Sequence, residues 1–172
     1  SAPQVPLALN DPSHQTAMLS ALPPVPGDNS PVLQTPTEAA LAAGYGYYLG
    51  AGASALPPDA AKFVVLITDG APNCGGTVAG VTGAVAQAFA KGVKTFVVGI
   101  PGASSYNAGM SQAAAAGGTG APACSPTGPT WCHFALPTAA NPADLATKLS
   151  AALAAIKGKS ASCDYQIPAQ DG

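Results

Sequence analysis

The sequence predicts an α/β fold, a Rossmann-like, doubly wound and mainly parallel sheet flanked by helices, on three observations. Lys62–Thr68 (KFVVLIT) and Val93–Gly99 (VKTFVVG) are short, nearly continuous apolar runs, as expected of strands buried on both faces. Segments of helical length alternate with them, giving strand-helix units that right-handed crossovers assemble into a parallel sheet. The first run also delivers one carboxylate, Asp69, to the turn GAPN, and ligands of open α/β sheets gather at that end of the strands.

Each element has its own signal. Val5–Leu9 reads as a short apolar strand, and Asp11-Pro12, an N-cap residue followed by proline, opens a helix over Ser13–Leu22. Pro23–Pro31 (PPVPGDNSP) reads as a surface loop, because its prolines and glycine break both helix and strand. Thr35-Pro36 repeats the cap-and-proline signal and opens a helix through Leu49, with Glu38 completing a T-x-x-E capping box. A helix over Val78–Lys91 follows the first long strand and stops at Gly92, read as its C-cap. The second long strand leads to a helix over Ser104–Ala116. A last strand over Trp131–Ala135 and a helix after Pro142 complete the pattern. This organisation makes residues 1–157 one domain and residues 158–172 a tail.

These motifs resemble von Willebrand factor type A domains. Thr68-Asp69-Gly70 matches the family's T-D-G triplet, Gln34–Leu41 (QTPTEAAL) resembles its threonine-bearing loop, and Val93–Gly102 its next strand. Asn141–Ile156 resembles the closing helix, and the TDGAPNC segment is similar to bacterial cell-surface variants. The resemblance implies a metal-ion-dependent adhesion site. In it, the residues matching Thr35 and Asp69 join the serines of an Asp-x-Ser-x-Ser motif around Mg²⁺ or Ca²⁺, hard cations that take oxygen ligands. A carboxylate from a partner protein completes the coordination. Such a mechanism is binding, not catalysis.

No Asp-x-Ser-x-Ser pattern occurs between Ser1 and Gly172. In the family's strand order, 3-2-1-4-5-6, Val5–Leu9 takes the place of strand 3 and Lys62–Thr68 that of strand 4, so strands 1 and 2 are missing. At about 4.8 Å per strand the gap between them is roughly 10 Å wide, and FVVLI presents an unpaired apolar edge. The expectation is that a second chain or fragment fills this gap and supplies the remaining metal ligands. The alternative is a rearranged sheet in which the two strands pair directly.

The candidate residues also have plainer readings. Thr35 reads as a helix N-cap contributing about 1 kcal/mol, with Thr37 as an alternative cap, and Asp69 as an Asp-Gly turn bonding local amides. His14 and His133 have no nucleophile signature beside them and read as structural. Gly117–Gly120 lacks the strand-then-helix context of a phosphate loop. Tyr45, Tyr47 and Tyr48 fall on different helix faces, so core packing explains at least one of them.

Composition excludes several partners. Only 8% of residues are charged, the net charge is -2, and the six basic residues are all lysines. There is no arginine for bidentate contacts to phosphate or base, and with this net charge nucleic acid is not expected as a partner. The apolar runs fall short of the roughly 20 residues of a membrane span. Cys74, Cys124, Cys132 and Cys163 include no C-x-x-C pair, which argues against zinc and for the disulfides of an exported protein. Cys124 and Cys132 bracket the turn-rich SPTGPTW, leaving Cys74 and Cys163 to pair with each other or with another chain. Ser1, rather than methionine, reads as the start of a processed or trimmed chain. The sequence therefore predicts a non-enzymatic, extracellular or cell-surface adhesion domain that binds a protein ligand through an incomplete metal site. The alternative is a metal-free structural subunit of a surface assembly.

Overall fold

The computed structural model describes residues 5–6, 8, 11–21, 34–55, 57 and 60–160. Among these residues five α-helices, α1 (Pro12–Ala21), α2 (Thr37–Leu49), α3 (Val78–Ala90), α4 (Asn107–Ala116) and α5 (Pro142–Ser160), accompany three strands, β1 (Lys62–Thr68), β2 (Val93–Gly99) and β3 (Phe134–Ala135). The sheet is parallel in the order β1-β2-β3. β1 pairs with β2 over its whole length, from Lys62↔Val93 to Thr68↔Gly99, whereas β3 pairs with β2 only at Val98↔Phe134 and Gly99↔Ala135.

Strand alternation divides the core between the two faces of β2. Val93 and Val97 pack with Leu41 and Tyr45 of α2, Val81 and Val85 of α3, and Met110 and Ala113 of α4. Phe96 and Val98 face the other way, toward Ile156 and Leu149 of α5 and Phe134 of β3. Burying each of the larger side chains contributes about 1.5–3 kcal/mol. Thr95 is the polar member of the first face; it is fully buried, and its hydroxyl shares a 2.7 Å hydrogen bond with the Tyr45 hydroxyl. That bond joins α2 to the sheet without leaving an orphaned polar group.

β1 is covered less completely than β2. Among the described residues it pairs on one side only, and Phe63 and Ile67 remain 37% and 44% exposed. β2 between two strands is buried at every position except Lys94. α1 buries none of its residues, and the Asp11 carboxylate caps it by accepting from the His14 amide at 2.8 Å and the Ser13 hydroxyl at 2.7 Å.

Several expectations are corrected. The strand over Trp131–Ala135 shrinks to Phe134–Ala135. The Cys132 amide donates to Ser111 Oγ at 3.0 Å instead of to a ladder, and Trp131 packs over Gly128. The helix over Ser104–Ala116 starts as a 3₁₀ turn, Ala103–Tyr106, before α4. No side chain caps α2, whose N-cap position is Pro36, so the T-x-x-E box does not form. Gly92 lies one residue past the α3 C-cap, Lys91, with φ of 83° and its amide on the Phe89 carbonyl; its position suits a residue without Cβ. α5 continues to Ser160, beyond Ile156, where the closing helix was expected to end. Of the strand expected at Val5–Leu9, Val5 lies in a bend and Pro6 and Ala8 in no strand, while residues 7 and 9 lie outside the described residues. Leu22, the loop Pro23–Pro31 and the tail from residue 161, with Cys163, also lie outside them.

Candidate functional site

The carboxyl end of β1 and the entry to α2 together form an open pocket of about 310 Å³. Thr35, Thr37, Thr68 and Asp69 line it with Leu66 and Ile100. Thr35 and Asp69, far apart in sequence, thus share one pocket. Asp69 is exposed and Thr35 half-buried.

Hydrogen bonds from the turn after β1 hold the pocket together. The Asn73 amide donates to the Thr35 carbonyl at 2.9 Å, and the Thr35 amide donates back to Asn73 Oδ1 at 2.5 Å. Asn73 thereby clamps the segment preceding α2 to the loop that carries Asp69. The Thr68 hydroxyl donates to the Gly70 carbonyl at 2.9 Å, and the Ile100 amide donates to the Thr68 carbonyl at 3.0 Å. Glu38, freed from the expected capping box, accepts from the Thr77 amide at 3.0 Å, while Thr77 Oγ1 caps α3 by accepting from the Gly80 amide at 2.9 Å. Any side chain at position 80 would overlap the Glu38 carboxylate.

Chemically, the pocket offers one carboxylate and several hydroxyls, the hard oxygen donors that suit Mg²⁺ or Ca²⁺. They are fewer than the six to eight ligands such ions take. No group of three or more His, Cys, Asp or Glu that could hold a metal occurs among the described residues. A larger cavity of about 400 Å³ lies between α2 and α3, but it contains no carboxylate, and Ala42, Gly46, Ala84 and Ala88 line much of it.

The other candidates fall elsewhere. Cys124 and Cys132 form a disulfide. Cys74 is an exposed thiol on the site loop, donating to Asn73 Oδ1 at 3.0 Å. His14 lies on α1, and its amide serves the Asp11 cap. His133 is buried; its Nδ1 shares a 2.8 Å hydrogen bond with Ser111 Oγ, which also accepts the Cys132 amide. Its Nε2 is buried without a protein partner among the described residues, and burial lowers its pKa. Ser111 is itself fully buried, so the pair braces α4 against the approach to β3. Burial raises the pKa of Tyr106, and also that of Tyr45, where the Thr95 hydrogen bond partly opposes it.

Sequence reasoning missed Asn73 as the clamp, Glu38 as a link between helices and Ile100 as a pocket wall. The TDGAPN string contained the first signal, since Asn is a turn residue with a side chain that bonds backbone. The family model of the von Willebrand factor type A domain matches residues 1–124. No curated protein and no solved structure matches the chain.

Proposed function

This chain belongs to the von Willebrand factor type A family, and from that premise we propose that the Thr35–Asp69 pocket is a protein-docking site completed by a divalent cation. Domains of this family are generally binding or adhesion modules rather than enzymes, and they often bind a divalent metal. The observation that carries the proposal is the shared pocket itself, in which Asn73 tethers the Thr35 segment to the Asp69 loop. Asp69 and Thr35 would hold Mg²⁺ or Ca²⁺ together with oxygens from a second chain or segment bearing Asp-x-Ser-x-Ser. The cation would in turn offer an open coordination position to a ligand carboxylate.

The exposed edge of β1 supports this reading of the partner, because a strand added there would cover Ile67 and end beside Asp69. An extracellular or cell-surface location is part of the proposal; it accords with the Cys124–Cys132 disulfide and with the common setting of the family. No helix among the described residues is long and apolar enough to cross a membrane.

The same edge favours a second reading, a metal-free structural subunit in which β1 pairs with a like chain. Native mass spectrometry of purified material with metal analysis decides between them. A tightly held segment carrying Asp-x-Ser-x-Ser, with stoichiometric Mg²⁺ or Ca²⁺ that Asp69→Ala abolishes, is the expected result. A metal-free assembly of this chain alone would overturn it and leave the structural subunit.

A further inference from the structure

Charge in this chain is sorted along the strand direction. β1 and β2 run parallel, so Lys62 and Lys94 both stand at the amino end of the sheet, on opposite faces of it. Lys91, the C-cap of α3, is separated from β2 by Gly92 alone. Lys157 and Lys159 lie in the last turn of α5, and Ser160, which ends that helix, lines a cavity of about 110 Å³ with Lys62, Gly92 and Lys94. Five of the six lysines therefore gather at one pole, although the chain as a whole carries a charge of -2. Carboxylates mark the other pole, where Asp69 follows β1, Glu38 accepts from the Thr77 amide at the start of α3, and Asp144 lies in the first turn of α5. Among the described residues the one ion pair, Lys148–Asp144, is also there, and no carboxylate pairs with Lys62, Lys91, Lys94 or Lys157. Helix dipoles give a reason for lysines at the ends of α3 and α5, but none for Lys62 and Lys94, which open strands.

Exposed aromatic rings accompany this charge. Of the four phenylalanines, Phe96 and Phe134 pack in the core with Ile156, while Phe63 and Phe89 are 37% and 43% exposed. Both exposed rings belong to the basic pole: Phe63 follows Lys62 and is in register with Lys94, and Phe89 lies in the last turn of α3, two residues before Lys91. A soluble anion needs the ammonium groups alone and leaves the rings unexplained. A bound acidic peptide needs a groove, and the cavity of about 110 Å³ at this pole is too small to seat one. Lysines from separate elements and from both faces of the sheet, interspersed with phenyl rings, instead suit an extended anionic plane with an apolar layer beneath it.

We propose that the amino-terminal pole of the sheet docks on an anionic lipid surface, with the lysines against the headgroup phosphates and Phe63 and Phe89 entering the interface. The contact is peripheral and reversible, since it rests on charge and two side chains rather than on a spanning segment. Docked in this way, the domain holds Asp69, at the far end of β1, roughly 20 Å from the lipid and directed away from it.

Co-sedimentation of the full chain with lipid vesicles tests the proposal. The chain should pellet with vesicles of mixed phosphatidylcholine and phosphatidylglycerol at low ionic strength, be released as salt rises, and stay in solution with phosphatidylcholine alone. A lysine at an anionic surface contributes about fivefold in affinity, so Lys91→Gln/Lys94→Gln, at two exposed positions, should weaken binding about 25-fold. Phe63→Ser and Phe89→Ser, taken singly, should each weaken it several-fold, and Lys148→Gln, at the opposite pole, should leave it unchanged. No pelleting, equal pelleting with neutral vesicles, or pelleting that the lysine changes leave intact would overturn the proposal. Binding that falls with the lysine changes but with neither phenylalanine change would assign the pole to a soluble polyanion and overturn it as well. Circular dichroism of each variant separates lost binding from lost folding, and the paired lysine variant, which alters no buried side chain, keeps the test decisive if a phenylalanine variant fails to fold.

Discussion

At the scale of single residues, His133 places an ionisable ring where burial disfavours its charged form. Burial lowers its pKa, so the folded protein resists a proton that the unfolded chain accepts near pH 6.5. The stability it confers is full above that value and is lost as pH falls through the lowered folded-state pKa. Asp11 and Asp144 titrate in a separate, more acid window. The His14 amide lowers the first and the Lys148 ammonium the second, so both hold their contributions until pH falls below 3.8. Thermal unfolding from about pH 7.5 to about pH 5 should therefore show a falling midpoint that His133→Asn flattens. An equal slope in the variant would assign the loss to other groups. The Asp11 cap was legible in the sequence, whereas the His133 environment was not, because it depends on Ser111, which comes from a different element. Glu38 is a similar case: its spacing from Thr35 is that of a capping box, yet its partner is Thr77 on the next helix.

At the scale of elements, legibility followed the source of each element's stabilisation. β1 and β2 occupy the predicted spans because a continuous apolar run in a parallel sheet is sufficient to define them. β3 was overestimated because residues before it are committed to the disulfide and to Ser111 rather than to a neighbouring strand. In the chain-entropy picture, closing the short loop between Cys124 and Cys132 contributes about 2.5 kcal/mol. Replacing both cysteines with serine should lower the denaturation free energy by about that amount, and chemical denaturation measures it. Because His133 and β3 follow this loop directly, the amides of Phe134 and Ala135 should exchange faster in that variant, which hydrogen exchange measures. The candidate site was half legible: Thr35 and Asp69 were identified from motif, whereas Asn73, which unites them, became apparent only when the turn met the α2 entry.

At the scale of the whole molecule, the incomplete coverage of β1 sets the main expectation. Ile67 is 44% exposed on a strand paired on one side among the described residues, so a lysine there should cost the isolated domain little. The same charge should obstruct any strand that tries to pair with this edge. Ile67→Lys is therefore expected to retain the thermal midpoint while weakening partner or self-association, read by sedimentation. Loss of both together would show that Ile67 supports the domain's own core. The full-length β1–β2 register has a mechanical consequence as well. Under the proposed docking at Asp69, a ligand pulled along the strand would load every rung from Lys62↔Val93 to Thr68↔Gly99 in shear at once, so the strand pair would resist tension collectively instead of unzipping one bond at a time.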